Sequence, residues 1–91
     1  MAKHTKQQDD ILWKMLAREL GMPEVQELQG YLAGSAEHFE MGYGDLTIEP
    51  YDVRGGRSAI FRLRHPAFGE TTVSHAALRS VLHDLAHHLR R

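Results

Sequence analysis

Apolar residues recur along this chain with two periods, and the change of period divides it into helices and strands. Leu12, Met15, Leu16 and Leu20 fall three and four residues apart and form one stripe of a helix, with Trp13 at its border. Thr5 and Gln8 have the spacing of a capping box at the start of that helix. Asp9 and Asp10 follow in its first turns, where carboxylates complement the positive end of the helix dipole. Gly21 reads as a stop and Pro23 as the first residue of a second helix. That helix runs to about Ala33 and buries Val25, Leu28 and Leu32, with Gly30 in its middle costing about 1 kcal/mol relative to Ala.

Residues 34–45 fit two patterns. Phe39, Met41 and Tyr43 alternate as a strand would, whereas Leu32, Ala36 and Phe39 continue a helical spacing. Gly34, Gly42 and Gly44 favour irregular backbone or close approach in either case. Period two is clearest around Gly55-Gly56, a two-residue loop suited to a primed hairpin turn. Counting outward from it pairs Val53 with Ser58, Tyr51 with Ile60, Glu49 with Arg62 and Thr47 with Arg64. The other face pairs Pro50 with Phe61, Ile48 with Leu63 and Leu46 with His65. One face is then almost wholly apolar and the other carries an opposite-charge pair, an agreement that a one-residue slip would destroy. Pro50 cannot donate a ladder hydrogen bond, which predicts an edge strand or a bulge at that point. His65-Pro66 ends the second strand.

The last segment predicts a helix from about Val73 to Leu89, capped by Thr72 or Ser74. Leu78, Val81, Leu82, Leu85 and Leu89 make its buried stripe, and His75, Arg79, His83 and His87 run along the other side. A lone hairpin is not stable in water, so the helices must cover its apolar face. The predicted architecture is a single α+β domain over residues 1–91, in the order α-α-β-β-α, with a third strand near residue 40 left open.

Composition changes this picture little, but the distribution of charge adds to it. At 91 residues, with 42% hydrophobic and 25% charged side chains, the chain suits one small globular domain. No apolar run approaches the roughly 20 residues that a membrane-spanning helix needs, and no apolar segment follows the charged start as in a signal peptide. The absence of cysteine excludes thiolate chemistry and favours the cytoplasm. The net charge of −1 conceals a division. Residues 1–50 carry four cations against nine carboxylates, a balance of −5, and residues 51–91 carry seven against three, a balance of +4. Every cationic side chain from Arg18 onward is Arg, whose planar fork matches carboxylate and phosphate alike.

The candidate binding residues follow from that division. Arg54 and Arg57 flank the hairpin turn directly opposite each other, an arrangement that a counter-anion would relieve; Asp52, a partner carboxylate or a phosphate would serve. Arg64 extends the cluster, while Glu49 engages Arg62. His83 and His87 have the i, i+4 spacing by which two imidazoles share a metal, but nothing supplies the remaining ligands of a zinc site, and the reading is a solvated polar helix face with no metal. No nucleophile elbow or phosphate-cradling glycine loop is present, and adjacent His83 and Asp84 point about 100° apart on a helix, so no catalytic residue and no cofactor is expected.

Gly56-Arg57-Ser58-Ala59-Ile60-Phe61, with Arg64-His65-Pro66 and Leu78-Arg79-Ser80, resembles segments of the small toxin ribonucleases of the HicA type. The resemblance covers at most residues 50–85. It implies helices around a small sheet, as in double-stranded-RNA-binding domains, but Ser58 stands where that family carries its catalytic histidine after the glycine. The function expected from the residues themselves is non-enzymatic. The reading is a small cytoplasmic interaction protein, a regulator, adaptor or inhibitor of the kind common on phages and mobile elements, that binds a protein partner. A homodimer would set the two charge excesses against each other twice. The alternative is a nucleic-acid-binding module using Arg54, Arg57, Arg64 and the Arg90-Arg91 tail on phosphates, and a ribonuclease comes third.

Overall fold

The computed structural model describes residues 6–34, 41–54 and 57–90, the side chains of 6–9, 57 and 58 excepted. Helix α1 (Lys6–Glu19) and helix α2 (Met22–Ala33) precede a four-stranded antiparallel sheet and a final helix. The sheet consists of β1 (Met41–Tyr43), β2 (Leu46–Arg54), β3 (Arg57–His65) and β4 (Gly69–Ser74), in spatial order β1-β2-β3-β4, and α3 (His75–Leu89) closes the chain. This is the small α+β domain expected, with its hairpin packed on helices. The strand near residue 40 is β1. The predicted capping box at Thr5 and Gln8, the Gly55-Gly56 turn type and the pattern around Phe39 lie outside the described residues.

Local chemistry accounts for the helix ends. The Glu24 carboxylate accepts from the Gly21 backbone N–H at 3.0 Å, and Gly21 is the cap of α2, so Pro23 occupies the second position of that helix rather than the first. Ser74 caps α3 by accepting from the Ala77 N–H at 3.1 Å.

Three expectations about the last segment are corrected. Val73 belongs to β4, paired with Phe61, and not to the helix. Within α3, Leu78, Leu82, Leu85 and Ala86 are buried, Val81 is half-buried and Leu89 is exposed, so the stripe turns away from the core one turn early. His75 is also not on the solvent side. Its Nε2–H donates to the Leu32 carbonyl at 3.0 Å and its ring lies 6.2 Å from that of Phe61, which joins the first turn of α3 to the end of α2.

The register of the central hairpin is as counted at Thr47–Arg64, Ile48–Leu63, Glu49–Arg62, Pro50–Phe61 and Val53–Ser58. It departs in one place. Asp52, not Tyr51, pairs with Ile60, and the ladder then returns to its original count at Val53. Tyr51 on β2 and Ala59 on β3 are each left over, so two bulges cancel. The interruption follows Pro50, where the missing N–H weakens the ladder.

All three helices lie on one face of the sheet: α1 packs on β2 and β4, α3 on β3 and β4, and α2 on α3. Met15, Leu16, Val25, Leu28, Leu46, Ile48, Leu63, Leu78, Leu82 and Leu85 are fully buried between these layers. Each such side chain contributes about 1.5–3 kcal/mol over leaving it in water. No helix among the described residues is long and apolar enough to cross a membrane.

Candidate protein-binding surface

The predicted arginines do not form one cluster. Arg54 ends β2 with its side chain 74% exposed, and its guanidinium meets the Asp52 carboxylate at 2.9 Å. Arg57 opens β3 directly opposite Arg54; its side chain is among those not described. Arg64 lies seven residues further along β3, roughly 23 Å from the tip at strand spacing, and bonds to Glu49 at 3.3 Å. The relieving anion at the tip is therefore the chain's own Asp52.

What these residues border is the outer face of the sheet, which no helix among the described residues covers. Glu49 is its centre. Its carboxylate accepts from Arg62 Nε at 2.7 Å and from Arg64, while Arg62 also reaches Glu70 at 3.7 Å. The bond to Glu49 holds the Arg62 guanidinium above its ordinary pKa. Two arginines and two glutamates thus balance across β2, β3 and β4, so the face carries no excess of positive charge. Beside them Tyr51, displaced from the ladder by the bulge, is 58% exposed with the Arg62 guanidinium 5.2 Å from its ring centre. Half-buried Ile60 adjoins, opposite Asp52 and Ser74. Tyr51 and Glu70 were not among the expected binding residues. The Pro50 signal located the irregularity but not which side chain it would release.

A second group of ionisable residues brings together Glu19, Asp45 and His65. Sequence reasoning assigned them no role. His65 is 4% exposed and Glu19 lies at the end of α1. The Ala67 backbone N–H donates to His65 Nδ1 at 3.0 Å, so that nitrogen is the acceptor and the ring proton is on Nε2, which donates to Glu19 at 2.8 Å. Glu19 also accepts from the Asp45 backbone, and these donors hold its carboxyl below the usual range. Both ring nitrogens are thereby occupied. In this arrangement His65 has no lone pair for a metal and no free base for proton abstraction, and the contact fastens the β3–β4 turn to α1. His83 and His87 are exposed on α3, as the helical pattern implied.

Comparison with protein-family models, curated proteins and solved structures finds no match to this chain.

Proposed function

We propose that the protein acts by binding another protein, as a small regulator, adaptor or inhibitor in the cytoplasm, through the outer sheet face and the adjoining hairpin tip. The observation that carries this reading is Tyr51, thrown out of the ladder onto Arg62 on an uncovered, charge-balanced surface. Exposed tyrosine and arginine are the side chains that concentrate binding energy in protein interfaces. Phosphate recognition calls instead for cations without partners, and here Arg54, Arg62 and Arg64 each have a carboxylate. A second copy of the chain is one such partner, and the tip arginines are the groups that would meet its acidic half.

The test compares the wild type with a Tyr51→Ala variant and an Arg54→Glu, Arg57→Glu variant. Each is used to capture partners from lysate with and without nuclease, and each is sedimented alone across a concentration series. A captured protein, or a self-associated form, that survives nuclease and is lost in both variants supports the proposal. Sub-micromolar, steeply salt-dependent binding to random-sequence RNA or DNA that the double reversal abolishes overturns it in favour of nucleic acid.

A further inference from the structure

The sheet has two edges, and they differ. Strand β1 is only three residues long, which by itself limits pairing with another chain. Strand β4 is six residues long, Gly-Glu-Thr-Thr-Val-Ser, and it pairs with β3 without a bulge. It holds no proline or lysine, the residues by which exposed edges are usually protected. Among the described residues no strand pairs with its other side.

That open edge borders a groove of about 510 Å³ between α1 and α3. Thr71, Thr72 and Val73 of β4 line it together with Leu12 and Trp13 of α1 and Val81 of α3. Trp13 and Val81 are half-buried, and the Trp13 ring meets the His88 ring edge-on with centroids 5.7 Å apart. The charged residues lining it are Asp10 from α1 and Asp84 from α3, both exposed, and no Lys, Arg or His is among the described residues that do so. The groove is thus an unpaired strand edge beside an apolar recess with carboxylates on both helices.

We infer that the β4 edge and this groove bind an extended, basic segment of a partner protein, which adds to the sheet as a fifth strand and places an apolar side chain between Trp13 and Val81. Backbone pairing along β4 supplies the affinity, and the recess with its carboxylates selects, among the side chains two residues apart that share the strand face turned to the helices, an apolar one flanked by cationic ones. The same charges reject other occupants. A two-fold copy pairing through β4 would set the acidic groove of one molecule against that of the other, and a nucleic acid would meet Asp10 and Asp84 with its phosphates. The outer sheet face shares strand β4 through Glu70, but the groove lies between that strand and the helices and is lined by neither Tyr51 nor Arg62, so the inference does not rest on the reading given to Tyr51.

The test titrates 15N-labelled protein with the synthetic seven-residue peptide Thr-Lys-Thr-Val-Thr-Lys-Thr, whose valine and two lysines share one face of a strand, and with the counterpart in which both lysines are glutamate. The expected result is saturable shifts of the Gly69–Ser74 amides and the Trp13 indole with the lysine peptide and none with the glutamate peptide. An Asp10→Lys, Asp84→Lys variant should lose about tenfold in affinity, as expected for two exposed ion pairs, with its amide spectrum otherwise unchanged. An Arg54→Glu, Arg57→Glu variant should bind the lysine peptide as the wild type does. Absence of shifts up to millimolar peptide overturns the inference, as do shifts confined to Tyr51 and Arg62 or equal binding of both peptides.

Discussion

Truncating Phe61 to alanine tests the assignment of the two sheet faces. Phe61 is 1% exposed, lies opposite Pro50 on one side and Val73 on the other, and has the His75 ring 6.2 Å away. Removing its ring from so enclosed a site should cost about 3–5 kcal/mol, the transfer loss and the cavity together. A domain of this length is stabilised by roughly 5–14 kcal/mol, so the variant keeps only part of its stability. Ile60, the next residue, points to the outer face opposite Asp52 and Ser74 and is only half-buried. Ile60→Ala should cost about 1 kcal/mol. Urea denaturation followed by Trp13 fluorescence separates the two, because with a slope of about 1 kcal/mol/M the midpoints fall by about 3–5 M and about 1 M respectively. Equal shifts would mean that the helices do not cover the Phe61 face, and the layer arrangement described above would be wrong.

Two further outcomes are expected. The Glu19 carboxyl is held below its ordinary value of 4.5, first by the hydrogen bond from His65, so its contribution is complete above pH 4.5 and is lost as pH falls through the lowered folded-state value; acid denaturation of Glu19→Gln should therefore show a shallower loss of stability below pH 4.5 than the wild type, and parallel curves would refute the pairing. Gly44 has φ +61 in the turn between β1 and β2, and a Cβ there would collide with the Glu19 carboxylate, whereas a Cβ on Gly69, at φ +91, meets nothing within 4 Å; Gly44→Ala should lower the melting temperature more than Gly69→Ala, and the reverse order would contradict the close approach.

The helices and the central hairpin were legible in the residues because two independent signals agreed in each. Leu12, Met15, Leu16 and Leu20 repeat at helical spacing and all are buried. The hairpin count was fixed by an apolar face and by the Glu49–Arg62 pair together, and both hold. Strand β4 was missed because its signal competed with a stronger one. Thr72 and Ser74 read as caps for the long helix that follows, and a cap search absorbs the strand residues before it. Gly69 followed by β-branched Thr71, Thr72 and Val73 was the available sign of a turn and a strand. His65 illustrates a different limit. Its partner Glu19 is 46 residues away in the chain, and only the meeting of α1 with the β3–β4 turn brings them together.

The division of charge between the halves changes meaning once the chain is folded. As a sequence feature, −5 against +4 suggests two opposed surfaces. In the structure the boundary between the halves falls inside β2, and the sheet pairs residues across it. Glu49 from the acidic half is bonded by Arg62 and Arg64 from the basic half, and Glu19 by His65. Asp52 neutralises Arg54 within the basic half itself. Part of the apparent dipole is therefore consumed by the Arg54, Arg62 and Arg64 pairs, which lie on the surface and add little stability but fix how the outer face presents itself, whereas the Glu19 contact to buried, neutral His65 leaves the charge count unchanged. Local excess of one sign is found in a different place, at Asp10 and Asp84 beside the open edge of β4. These two residues come from opposite halves of the chain, and no count of charge along the sequence brings them together. A partner steered by electrostatics would therefore be drawn by the acidic groove along the edge of β4, which favours a cationic segment.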